Sequence, residues 1–185
     1  MYGLIAALAA VENVFPPVPA DTAVALGAFL AGRGIMDPWT VFGLTWTANV
    51  SSGAAVYALA RRHGRALFQG VLGRRLFSDA TIARIAEQYE RHGTWGIFFA
   101  RLLPVWRGLV MPFAGIARVP PWRALIPLAA ASALYYGALT FLITTLGTNL
   151  EDVLRVVGRV NAVLAVIAVA LLLAATIWIL RRLKR

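Results

Sequence analysis

The sequence predicts an all-α integral membrane protein, built as an inverted repeat of re-entrant hairpin plus transmembrane helix, with an additional C-terminal transmembrane helix. Three observations lead there. The 185 residues are 60% hydrophobic and 14% charged, with a mean hydropathy of +0.73, whereas a soluble domain carries about 25% charged residues. The apolar residues gather into long stretches, some unbroken and some interrupted by proline. A short motif also recurs, 83 positions apart, in the same context each time.

A membrane-crossing helix needs about 20 apolar residues for a hydrocarbon core ~30 Å thick. Three stretches qualify: 40–60, 123–147 and 161–180. Two others, 1–32 and 94–117, are long but broken by proline. Met1–Val11 and Thr22–Gly32 would each cover about 16 Å as helices, roughly half the core. Residues 1–36 are therefore predicted to enter and leave by one side, turning at Pro16, Pro17 and Pro19. Residues 94–117 divide in the same way around Pro104, with Gly115 shaping the return. One kinked span in each place is the alternative.

Charge supports the hairpins. The net charge is +10, but the basic residues lie between and after the apolar stretches, as in loops facing anionic lipid rather than in a nucleic-acid surface. Residues 61–93 hold seven arginines (Arg61, Arg62, Arg65, Arg74, Arg75, Arg84, Arg91) against Asp79, Glu87 and Glu90, and the chain ends RRLKR. The loop 148–160 balances Glu151 and Asp152 with Arg155 and Arg159. The positive-inside rule then puts 61–93 and the C-terminus in the cytoplasm of a multi-pass protein of the inner (plasma) membrane, with 148–160 outside. Both ends of 94–117 must face the cytoplasm, which makes that stretch re-entrant. Within 61–93, Ser78 can cap a helix running to Gly93, with Ile82, Ile85 and Tyr89 on one face. It is predicted to lie on the cytoplasmic surface. Met1–Val11 lacks the basic start of a signal peptide.

The recurring motif is A-G-x5-P-W, as AGRGIMDPW (31–39) and AGIARVPPW (114–122). Each copy follows a proline-broken stretch and precedes a full span. Entry from opposite sides would make the repeat inverted, a plan common in secondary transporters.

Ionisable groups at membrane depth mark pathways or binding sites. Four fall near the hairpin tips: Glu12, Asp21, Arg101 and Arg107. A carboxylate near low dielectric can exchange a proton, and an arginine fork suits phosphate. Glu12 and Asp21 are thus candidates for proton coupling, and Arg101 and Arg107 for binding a substrate phosphate. A plain ion-pair tie between hairpins is the alternative. Thr45, Asn49 and Ser52, and likewise Tyr135, Tyr136 and Thr140, either line a path or pack against neighbours. Cysteine is absent. His63 and His92 stand beside arginines in a basic loop, and neither H-E-x-x-H nor G-x-S-x-G occurs. No enzyme, metal or cofactor is expected.

The motifs E-N-x-x-P-P-x-P-x-D (Glu12 to Asp21) with A-G-x-G (Ala31 to Gly34), Y-x-x-x-R-R-x-G (Tyr57 to Gly64), and F-x-x-R-x-x-P-x-x-R (Phe98, Arg101, Pro104, Arg107) with Ala114-Gly115 together resemble the DedA family of VTT-domain, SNARE-associated Golgi-type membrane proteins. The resemblance runs from about Glu12 to Gly147. It implies two re-entrant hairpins, lipid translocation or proton-linked transport, essential acids at Glu12 and Asp21, and essential arginines at Arg101 and Arg107. The substrate it suggests is a phosphate-bearing lipid, undecaprenyl phosphate or a phospholipid, with a proton as partner. A proton-coupled small-solute or ion transporter, or a structural membrane protein, are the other readings. The chain departs from the family pattern at Ser52 and Gly53, where the family often has Gly-Asp, at Val105, where glycine is frequent, and in a short leader before Glu12.

Overall fold

A computed structural model describes residues 1–13, 20–64, 94–147 and 149–183. The described residues are helices joined by short turns, with no strand among them. In chain order they form α1 (Tyr2–Val11), α2 (Ala20–Gly32), α3 (Pro38–His63), α4 (residues 94–102), α5 (Pro104–Ile116), α6 (Pro121–Leu146) and α7 (Leu150–Leu183). Pro16, Pro17 and Pro19 and the surface helix predicted from Ser78 to Gly93 lie outside the described residues.

The helix starts are written locally. Pro38, Pro104 and Pro121 each open a helix at a position where the missing N–H is no loss. Asp37 caps α3, its carboxylate accepting from the Thr40 amide and hydroxyl at 2.6 Å each. These bonds hold the Asp37 carboxyl below its ordinary range. The expected 148–160 loop is instead mostly the first turns of α7. Glu151 and Asp152 occupy the first turn, where the helix dipole favours acids, and Arg155 bridges back to Asp152 at 3.1 Å.

Among the described residues, α6 is the one helix both long and apolar enough to cross a membrane. α3 has the same 26 residues, about 39 Å at 1.5 Å per residue, but carries more Thr, Asn and Ser. α1 and α2, with 10 and 13 residues, reach only about 15 and 20 Å. They run antiparallel: Gly27 packs on Ile5 near one end, and Glu12 and Asp21 share a partner at the other. α4 and α5 double back similarly about Leu103, with Ile97 in one core cluster with Val110, Met111 and Ala114.

α3 and α6 cross antiparallel at the centre. Trp39 meets Phe141 with ring centroids 4.7 Å apart, Phe42 lies against Gly137, Ser132 bonds Asn49, and Leu128 covers Gly53. The two repeat motifs therefore begin at opposite ends of the molecule. The glycines of the motif make reciprocal contacts. A Cβ on Gly32 would stand 2.6 Å from the Thr144 carbonyl, and one on Gly115 would stand 2.5 Å from the Tyr57 carbonyl and 3.0 Å from the Arg61 amide. Thr144 and Arg61 are separated by the same 83 positions as the two glycines. Each half thus seats its glycine on the long helix of the other. Gly115 lies at this close approach between α5 and α3, near the end of α5, and Pro104 opens α5 next to Leu103.

The turns after α2 and α5 close alike but not in register with the helices. Gly34 N bonds Ala31 O and Ile35 N bonds Leu30 O; Arg118 N bonds Gly115 O and Val119 N bonds Ala114 O, all at 3.0 Å. Those bonds sit 84 positions apart, one more than the glycines before them and the prolines after them. The turn has slid by one residue. The left-handed position is consequently glycine in the first copy (Gly34, φ 73°) and arginine in the second (Arg118, φ 55°).

Candidate functional site

The breaks between α1 and α2 and between α4 and α5 meet beside the crossing of α3 and α6. Glu12 follows the last residue of α1 and Asp21 lies in the first turn of α2. Arg101 is near the end of α4, and Arg107 is in the first turn of α5. Glu12, Asp21 and Arg101 are each at most 6% exposed. An arginine at a helix N-terminus works against the dipole, so Arg107 needs nearby acids to be tolerated there. It has two. Its Nη2 pairs with Glu12 Oε1 and with Asp21 Oδ2, the latter at 2.8 Å.

Aromatic and amide groups complete this half of the site. Tyr136 donates its hydroxyl to Glu12 Oε2 at 2.7 Å. The Arg107 guanidinium lies over the Tyr135 ring, 4.9 Å from its centroid. The Tyr135 hydroxyl stands 3.1 Å from both Asp21 Oδ2 and Asn161 Oδ1 and can donate to one at a time. Asn161 Nδ2 donates to Asp21 Oδ2 at 2.9 Å. Two atoms are left over: among the described residues Asp21 Oδ1 and Arg107 Nη1 are buried without a hydrogen-bond partner.

Arg101 is held differently from Arg107. Among the described residues it pairs with no carboxylate. Its Nη2 donates to Asn49 Oδ1 at 2.8 Å, its Nη1 to the Arg107 carbonyl at 3.0 Å, and both reach Asn13 Oδ1 at 3.4 Å. Asn49 and the Tyr136 hydroxyl link it to Glu12 through hydrogen bonds. Asn49 also takes the Ser132 hydroxyl at 2.9 Å and reaches the Tyr136 hydroxyl at 3.2 Å, while Asn13 donates to the Asn49 carbonyl and to Ser52 Oγ. Gly53 faces Asn13 Oδ1, 3.6 Å from where a Cβ would be. An acid at position 53 would enter this cluster, and here there is none.

The structure thus brings all four predicted charges together, but divides them into an ion-paired arginine and an amide-held one. Sequence reasoning left out Asn13, Ser132 and Asn161, and left Asn49, Ser52, Tyr135 and Tyr136 undecided. Each had a signal: Asn13 stands beside Glu12, Asn49 is the one amide within 40–60, and Asn161 opens an otherwise apolar span. Thr45 bonds the Val41 carbonyl of its own helix, and Thr140 has no partner among the described residues.

A chain of this hydropathy, helical over its described residues and packed around a buried cluster of two carboxylates and two guanidiniums, is a membrane protein with a buried polar site. It belongs to the VTT domain family, the DedA proteins, whose family model matches residues 18–149. Among its relatives, an uncharacterized membrane protein of Mycobacterium leprae is 30% identical over 56% of this chain, which spans 46% of that protein's length. An alkaline phosphatase-like protein of Lactococcus lactis subsp. lactis is 26% identical over 96% of this chain and 86% of its own. An uncharacterized membrane protein of Mycobacterium tuberculosis is 25% identical over 91% of this chain and 79% of its own. No solved structure matches. The matched region holds Asp21, Asn49, Arg101, Arg107, Tyr135 and Tyr136; Glu12 and Asn13 precede it and Asn161 follows it.

Proposed function

We propose that this protein is a transporter, not an enzyme, that moves a phosphate-bearing lipid across the bilayer, with undecaprenyl phosphate or a phospholipid as substrate. The observation that carries the reading is Arg107 shared between Glu12 and Asp21 in a buried centre. Buried ion pairs roughly break even against apolar packing, so a mere tie gives little reason to keep one, whereas a binding site needs charge that can be released.

Depth supports it. Trp39 and Trp122 are exposed near the starts of α3 and α6, where aromatic residues mark membrane interfaces. Asn49 and Ser132 each lie ten residues further along, about 15 Å at 1.5 Å per residue and half the ~30 Å core. The network then lies at the midplane, where inverted-repeat transporters hold their substrates. In this reading α1–α2 and α4–α5 are re-entrant hairpins entering from opposite faces.

The empty site is closed by its own ion pairs. An arriving phosphate competes with the two carboxylates for Arg107, while Arg101, paired with no acid among the described residues, supplies a second cation. Protonating Glu12 or Asp21 frees Arg107 and couples lipid capture to proton uptake. The test is flipping of a labelled anionic lipid in proteoliposomes against pH. Asp21→Asn should still flip lipid with its pH dependence lost, or Glu12→Gln should if that residue carries the proton. Wild-type pH profiles in both would remove the proton from the mechanism. Small-solute flux driven by a pH gradient, without lipid flipping, would favour the ion-transporter reading. Inactivity in both assays would leave a structural role.

The name alkaline phosphatase-like on the Lactococcus relatives supports a second reading, hydrolysis of a phosphate ester. Both readings recognise the same group. For hydrolysis, Glu12 and Asp21 are the buried carboxylates at the candidate site that could act as general acid or base. Phosphate release from the same labelled lipid separates the two.

A further inference from the structure

We propose that the crevice between α6 and α7 holds a single hydrocarbon chain of the anionic lipid, leading its head group to Arg107. This deepens the phosphate-lipid reading above and rests on it. The crevice, open along one side where Leu134, Leu142 and Val156 are exposed, has a volume of about 560 Å³, within the ~300–1,000 Å³ usual for ligand sites. Leu134, Leu139 and Leu142 form one wall and Val153, Val156 and Val157 the other. At roughly 30 Å³ per small group, the share of a water in liquid, it has room for on the order of 15–20 methylenes. That is about one chain.

Its ends identify the occupant. Along α7 the lining runs from Asp152 to Asn161, about 14 Å at 1.5 Å per residue, from the turn between the helices to the polar network. Asn161 and Tyr135 close the inner end, and both hydrogen-bond Asp21 Oδ2. Behind the Tyr135 ring lies the Arg107 guanidinium, with Nη1 buried and unpartnered among the described residues. An apolar slot whose inner end is Tyr135, stacked on the Arg107 guanidinium, together with Asn161, complements an amphiphile with one anionic end. Free phosphate would leave the slot empty, and a neutral alkane would leave the donor unmet.

The test is photo-crosslinking of the full chain in nanodiscs. The probe is hexadecyl phosphate with a mid-chain diazirine, and the control is hexadecanol with the same diazirine; adducts are mapped by mass spectrometry. The phosphate probe should label Leu142, Val153 and Val156 about tenfold more than the alcohol, equivalent to about 1.4 kcal/mol of preference. Ala138→Trp and, separately, Val156→Trp should fill the slot and cut that labelling about as much. Two variants on different walls guard against misfolding of one. Equal labelling of the slot by both probes would overturn the proposal, since the head group would then play no part. Phosphate-dependent labelling that falls elsewhere would overturn the slot while leaving the phosphate reading intact. If the phosphate probe labels no position more than the alcohol does, the phosphate reading fails and the slot with it.

Discussion

Ser132 donates its hydroxyl to Asn49 at 2.9 Å across 83 positions of sequence. That is the spacing of the repeat, so the two residues are counterparts that meet where the halves cross. One of them, Asn49, also carries Arg101. The centre of the fold and the centre of the candidate site are therefore the same place, and changes to one should register in the other.

The two arginines should differ in what their loss costs. Arg107→Met strands two buried carboxylates and should destabilise by about 3–5 kcal/mol. Arg101→Met strands amide oxygens and a carbonyl, at about 1–3 kcal/mol. Thermal unfolding of the purified protein in one detergent gives the order, and a larger loss at Arg101 would contradict the division described here.

Charge alone should not rescue function at either position. Arg107→Lys and Arg101→Lys keep a cation but lose the planar fork. Both should flip labelled phosphate lipid more slowly than wild type in proteoliposomes. Normal rates in both would reduce the arginines to generic charges.

Opposed entry of the halves is open to a direct check. Arg33 precedes α3 and Arg118 precedes α6, at opposite ends of the crossed pair. Single cysteines at the two positions should react with an impermeant maleimide from opposite sides of sealed vesicles. Reaction from one side only would refute inverted insertion.

The reciprocal glycines should fail in parallel. Gly32→Val and Gly115→Val each drive a side chain into backbone of the opposing helix, and over-packing of this kind costs about 1–3 kcal/mol. Similar losses of melting temperature are expected. A tolerant position 32 beside an intolerant 115 would mean that the halves do not pack equivalently.

Relief is expected at Arg118, the non-glycine residue of left-handed φ among those described. Arg118→Gly should raise stability by about 1 kcal/mol, because the hydrogen bond that Arg61 makes there goes to the backbone carbonyl. The reverse change, Gly34→Arg, should lower stability by a similar amount.

Much of this was legible in the sequence because membrane burial is written in long apolar runs, and helix starts in Asp37-Pro38, Pro104 and Pro121. The four charges were legible because so few acids occur and each apolar break holds charge. What escaped was long-range partnership. Nothing local to Arg101 reveals that Asn13 and Asn49 will claim it, since those residues arrive from α3 and from just past α1. Nor does the pattern A-G-x5-P-W reveal that the turn inside it slides by one residue: composition fixes the glycine and the proline, while hydrogen bonding between them chooses the register. The start of α7 was mistaken for a loop because its exposed first turns are polar, and a water-facing helix end reads like a connection.

One consequence concerns how the site could be divided. α7 begins at Leu150, one residue beyond the region the family model matches. It supplies Asn161 and a whole wall of the crevice, while Glu12, Asp21 and both arginines come from elsewhere. On the proposed lipid reading, the four charges and one wall of the chain slot are encoded in different stretches, with Asn161 touching both. A chimera that exchanges only the segment after residue 149 between relatives would replace one wall of the slot and keep the four charges, making that wall's share of any chain-length preference a transplantable trait.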